Sequence, residues 1–139
     1  MRLNTYLHFN GDCKEAFEFY ANTLNGKVVF AMTKGQSPEA VRFPVERHDD
    51  VMHARVEIAG QSLIGMDADT RYKAPQGFGV LLTLETPSEA ERVFRVLADE
   101  GKVTMALGET FWALRFGMLT DKFGVPWMIS CDKRMAAAA

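Results

Sequence analysis

The sequence predicts an α+β fold in which two β-α-β-β-β modules form a curved mixed sheet around a cleft. Two observations lead there. One helix signature occurs twice at nearly the same offset, and each copy has one strand-like run before it and three after it. The composition agrees: 47% apolar and 24% charged residues over 139 positions suit one ordinary globular domain.

The first strand reads as Leu3–Phe9. Asp12 then offers an N-cap, and Glu15 three residues on completes a capping box. Cys13, Ala16, Phe17, Tyr20 and Leu24 make a helical apolar stripe, which should stop at Asn25-Gly26 with Gly26 left-handed. Lys27–Met32 reads as a strand. Thr33–Asp50 is polar, carries two prolines and is expected to be a lid, a binding loop or mobile. Met52–Ala59 and Gln61–Asp67 read as strands joined by an Ala59-Gly60 hairpin turn. The second copy begins with the strand Gly79–Leu84. Thr86 is its cap, Pro87 and Glu89 fill the first turn, and Ala90, Val93, Phe94, Leu97 and Ala98 form its stripe. It stops at Gly101, and Val103–Ala106, Phe116–Thr120 and Trp127–Cys131 follow as strands. Thr86 lies 74 residues after Asp12, and Gly101 lies 75 after Gly26. Module one is thus 1–68, the connector 69–77 and module two 78–132. The tail 133–139, with its four alanines, reads as a frayed end.

A net charge of −2 and a pI of about 5.9 disfavour nucleic acid or an anionic membrane as partner, since both need a basic face. No apolar run approaches the ~20 residues that span a bilayer. The N-terminus reads directly as a strand, so a cytoplasmic protein is expected. There Cys13 and Cys131 should be free thiols.

Three stretches carry a family resemblance. Phe9-Asn10-Gly11-Asp12-Cys13-Lys14-Glu15-Ala16, with Phe19-Tyr20 after it, is similar to the opening of PhnB-type proteins of the vicinal-oxygen-chelate superfamily. So are Glu109-Thr110-Phe111-Trp112-Ala113 and Thr120-Asp121-Lys122-Phe123-Gly124-Val125-Pro126-Trp127-Met128-Ile129. The superfamily includes glyoxalase, bleomycin-resistance proteins and extradiol dioxygenases. The resemblance implies the glyoxalase/bleomycin-resistance-like fold and a homodimer. It also implies four metal-ligand positions, one on the first and last strand of each half. Here those fall at Thr5, about Gly65, Val80 and Met128, none a ligand for a hard divalent ion. A protein without metal or cofactor is expected. Relatives also carry a label as ubiquinone-pathway methyltransferases. The sequence has no glycine-rich strand-turn-helix to hold an adenosyl donor, and Gly77-Phe78-Gly79 precedes a strand.

The remaining residues that could do chemistry are few. His8, out of phase with Thr5, Leu7 and Phe9, is expected on the helix side. His48, Asp49, Asp50 and His53 could gather a stray metal but read as a solvated loop. Cys13 follows a helix cap, where a thiol pKa falls, yet it lies on the apolar stripe and should be buried. Trp127 should belong to the core. Phe111, Trp112 and Phe116 cluster around Arg115 and Glu109 in an irregular segment. With Thr5, Asp67 and Met128 they form the candidate pocket, because aromatic faces with one cation and one carboxylate suit a partly polar organic ligand. A dimer interface or a core plug would use the same residue types. The expected function is binding or sequestering a small organic ligand. The alternatives are a divalent-metal lyase, isomerase or dioxygenase, and a protein that only stabilises a partner.

Overall fold

The computed structural model describes residues 1–134, so the expected fraying of the four-alanine tail lies outside the described residues. The chain divides into two compact units, Met1–Lys73 and a second that begins at Ala74. In the first unit, β1 (Thr5–Phe9) leads to α1 (Cys13–Thr23), then β2 (Lys27–Thr33), β3 (Val51–Ile58) and β4 (Gln61–Asp67). The second repeats the order with β5 (Val80–Thr83), α2 (Pro87–Ala98), β6 (Lys102–Gly108), β7 (Ala113–Thr120) and β8 (Pro126–Asp132). The sheets have matching topology, β1-β4-β3-β2 and β5-β8-β7-β6. In each, the first and last strands pair in parallel and the other pairs are antiparallel. Among the described residues no helix is long and apolar enough to cross a membrane.

Each helix covers one face of its own sheet. In α1, Cys13, Ala16, Phe17 and Tyr20 are buried at three- and four-residue spacing. Phe17 meets Phe9 edge to face at 5.7 Å. In α2, Ala90, Val93 and Leu97 do the same. The strand residues beneath them alternate: Leu7 and Phe9 on β1, and Trp127, Ile129 and Cys131 on β8, are buried. The expectation that Trp127 belongs to the core therefore holds. Its Nε1 donates to Asp121 Oδ2 at 2.8 Å, and Asp121 Oδ1 accepts from the N–H groups of Phe123 and Val125.

Two features at the helix ends differ from expectation. Gly26 and Gly101 are not left-handed; Asn25 (φ 53°) and Glu100 (φ 59°) are. The glycines serve another need. A Cβ on Gly26 would collide with the carbonyl oxygen of Glu57, and one on Gly101 with that of Thr120, so each permits close passage of a neighbouring strand. At the helix starts, Thr86 caps as expected, its Oγ1 accepting from Glu89 N at 3.2 Å. Asp12 makes no side-chain cap. Its role is taken across the fold by Asp67 Oδ1, which accepts from Gly11 N at 3.0 Å and Cys13 N at 2.9 Å.

The Thr33–Asp50 loop has local structure of its own. It holds short helical turns at Ala40–Arg42 and Val45–Arg47. Its base is laced by Lys34 N to Asp50 O and Gly35 N to His48 O. His48 Nε2 lies 3.1 and 3.0 Å from the carbonyls of Ala40 and Phe43, so that nitrogen carries a hydrogen. Lys34, only 2% exposed, reaches Asp50 at 3.9 Å and sits over the Phe43 ring.

Candidate functional site

The face of each sheet turned away from its helix is where side chains remain accessible. On the first sheet, strand alternation puts Tyr6, His8, Phe30, His53, Arg55 and Met66 on that open face. Tyr6 and Phe30 are about half exposed. The Tyr6 hydroxyl lies 3.2 Å from His53 Nδ1, and burial holds this phenol above its ordinary pKa, with Cys13 adding to the effect. Tyr6 also meets His8 edge-on at 5.7 Å, and His53 meets Phe30 at 5.8 Å. His8 therefore faces away from the helix, contrary to expectation. Leu7 and Phe9 are the residues of β1 that reach α1, and His8 lies between them.

On the second sheet the open face carries Leu81, Phe116, Met118, Thr120 and Met128. A recess of about 390 Å³ opens there, lined by Phe78, Thr104, Met118, Pro126 and Met128 among others. It is predominantly apolar, as small-molecule sites are.

The expected pocket residues fall in both units, Thr5 and Asp67 in the first and the others in the second. Thr5 shares the helix side with Leu7 and Phe9, so its hydroxyl does not reach the open face. Asp67 is 1% exposed, and Oδ2 accepts from Val51 N at 2.7 Å in addition to the two bonds of Oδ1. It is a structural carboxylate, fully engaged by backbone. Met128 lines the recess. Phe111 and Trp112 meet edge-on at 4.7 Å, and Trp112 meets Phe116 at 5.2 Å, so the aromatic cluster forms. Arg115 does not join it. It lies on the helix side, opposite Cys131, and its Nε pairs with Glu91 of α2 at 3.0 Å. Glu109 pairs with Lys133 at 2.8 Å, which lowers the glutamate pKa. Phe111 is 88% exposed and Trp112 40%, so neither is a core plug.

The implied metal positions fit no metal. Thr5 and Val80 lie on helix-side registers, and Val80 pairs with buried Trp127. Gly65 faces α1, with Phe17 Cζ 2.8 Å from where its Cβ would stand. Met128 alone is on an open face, and one thioether makes no site. The loop cluster does not assemble either: His48 binds carbonyls, Asp50 pairs with Arg47 at 3.0 Å, and His53 binds Tyr6. Among the described residues no three His, Cys, Asp or Glu side chains are grouped to hold a metal ion. Cys13 is fully buried. Burial first, then the charges of Asp67 and Asp12, push its thiol far above the ordinary range, so both its position and its charge state suit a core thiol.

Known proteins are similar to this chain in sequence and in fold. The family described as "3-demethylubiquinone-9 3-methyltransferase" matches residues 1–130. Protein YjdN of Escherichia coli K12 is 38% identical over 143 residues, covering 96% of this chain and 97% of its own length. The chain belongs to this PhnB-like family. Protein PA1353 of Pseudomonas aeruginosa superposes with a TM-score of 0.86 at 39% identity, over 96% of this chain and 99% of its own. A Bacillus cereus structure, described as a putative 3-demethylubiquinone-9 3-methyltransferase and PhnB protein, gives 0.80 at 27% identity, over 94% and 99%. The fosfomycin resistance protein FosX of Listeria monocytogenes shares the fold alone, with a TM-score of 0.67 at 11% identity over 96% and 94%. The fold is thus the glyoxalase/bleomycin-resistance-like one. The sequence missed the Tyr6–His53 pair. Alternation along β1 and β3 could have put both on one face, had the helix side been set from Leu7 and Phe9.

Proposed function

We propose that this protein binds a small organic molecule on its open sheet faces without using a metal ion. One observation carries the reading: the open faces present aromatic rings, thioethers and an apolar recess, and the positions that hold metal in the wider superfamily offer no donor set. Such a surface gains from covering rings and thioethers, at about 25 cal/mol per Å² of apolar area removed from water. A few polar groups then orient what is bound.

Among the described residues, neither helix start offers a built site for the methyl donor that the family's description implies. The N–H groups of Gly11 and Cys13 at the start of α1 are taken by Asp67. The turn into α2 is Glu85-Thr86, whose hydroxyl is taken by Glu89 N.

A thermal-shift screen of small organic compounds tests the reading. A true ligand at 100 times its Kd adds about 2.7 kcal/mol of stability. The expected result is at least one stabilising compound whose binding survives chelator treatment and weakens with a substitution on an open face, His53→Ala on the first sheet or Met128→Ala on the second. Stabilisation only by divalent metal, or binding abolished by chelation, would overturn it in favour of a metal-dependent enzyme.

A further inference from the structure

The open face of the first sheet carries a cation that nothing else in the fold uses. Arg55 stands on β3, two residues from His53 and on the same face, so the two side chains rise about 7 Å apart. It is part-buried, and among the described residues it has no hydrogen bond or ion pair. Its cross-strand neighbours are Phe30 on one side and Ile64 on the other, and neither can compensate its charge. The nearest acid along the strand, Glu57, stands opposite Lys27. A guanidinium held part-way out of water costs free energy unless an anion completes it.

The groups beside it suit a flat molecule. The Tyr6 hydroxyl and His53 Nδ1 lie 3.2 Å apart, so Nε2 is the ring nitrogen left to meet a ligand. The rings of Tyr6, His53 and Phe30 follow one another at 5.9 and 5.8 Å, which gives an aromatic platform reaching from β1 to β2. Arg55 projects beside the Phe30 end of that platform.

We propose that this face binds a planar organic anion, an aromatic carboxylate, whose ring lies against Tyr6 and Phe30 and whose carboxylate is taken by Arg55 with His53 as a second donor. Arginine suits the role because its paired N–H groups match the two oxygens of a carboxylate. The inference rests on the small-molecule reading above and names its ligand class and residues.

Benzoate, benzamide, cyclohexanecarboxylate and benzylamine, titrated against the full chain with amide resonances as readout, test it. Benzoate should give saturable shifts centred on Tyr6, Phe30, His53 and Arg55, and should bind at least tenfold more tightly than benzamide or benzylamine. Cyclohexanecarboxylate, which keeps the charge and loses the flat ring, should also bind more weakly. Arg55→Gln should weaken benzoate at least tenfold, leave benzamide unchanged and keep the melting temperature. His53→Ala should weaken benzoate less. Equal affinity for benzoate and benzamide, or benzoate binding unaffected by Arg55→Gln, overturns the proposal. If benzylamine or a neutral compound binds an open face instead, the ligand class falls and the small-molecule reading stands. If neither this panel nor the wider screen yields a binder, both fall.

Discussion

Asp67 accepts hydrogen bonds from three backbone N–H groups, those of Gly11, Cys13 and Val51, and so ties the start of α1 and the start of β3 to the end of β4. Replacing it with alanine strands buried donors at roughly 1–3 kcal/mol each. Asp67→Ala should therefore cost at least about 3 kcal/mol in urea unfolding. A loss under about 1 kcal/mol would show that solvent satisfies those groups instead. Asp67 stands two residues from Gly65 on β4 and so shares its face, but the sequence does not say which face meets the helix. That choice depends on which residues of β1 and β4 pack under Phe17, a contact between segments some fifty residues apart. Buried thiols belong to the same scale. Cys13 and Cys131 are both free and buried. A disulfide reagent should modify neither in the native protein within minutes and both after denaturation. Rapid native labelling would contradict the burial.

Helices, strands and turns were the most legible level, because their signals are local. Gln61–Asp67 falls where alternation put it, and α2 begins one residue after its cap. Thr86→Ala should cost about 1 kcal/mol, since it removes the acceptor for Glu89 N. Unchanged unfolding would mean that water replaces the hydroxyl fully. The hairpin turn also matches expectation, with Ala59 at φ 49° and Gly60 at φ 78°. Alanine is a poor occupant of a left-handed position, where asparagine is tolerated. Ala59→Asn should raise stability by about 0.5–1 kcal/mol, and a fall in the denaturation midpoint would refute the turn geometry. The irregular parts were less legible. Arg115 and Phe116 are neighbours in β7 and so emerge on opposite faces, but the sequence pattern starts that strand at Phe116, so the alternation did not reach Arg115.

At the scale of the whole molecule, the duplication was readable because it recurs in text, and the sheets repeat it strand for strand. Function was less readable, because the resemblance fixed ligand positions by count and a slip of one residue moves a side chain to the other face. Chelation offers a whole-molecule check. Extended dialysis against a chelator should leave the melting temperature unchanged, and elemental analysis should find no stoichiometric zinc, nickel, iron or manganese. A drop of several degrees after chelation would restore a metal site to consideration. The packing at Gly65 also limits what that position can hold. A carboxylate placed there would drive into Phe17, which is itself seated against Phe9. Trimming Phe17 first would cost about 3–5 kcal/mol. Gly65 is therefore a filter on side-chain size: any larger residue at this position has to displace an aromatic ring of the core.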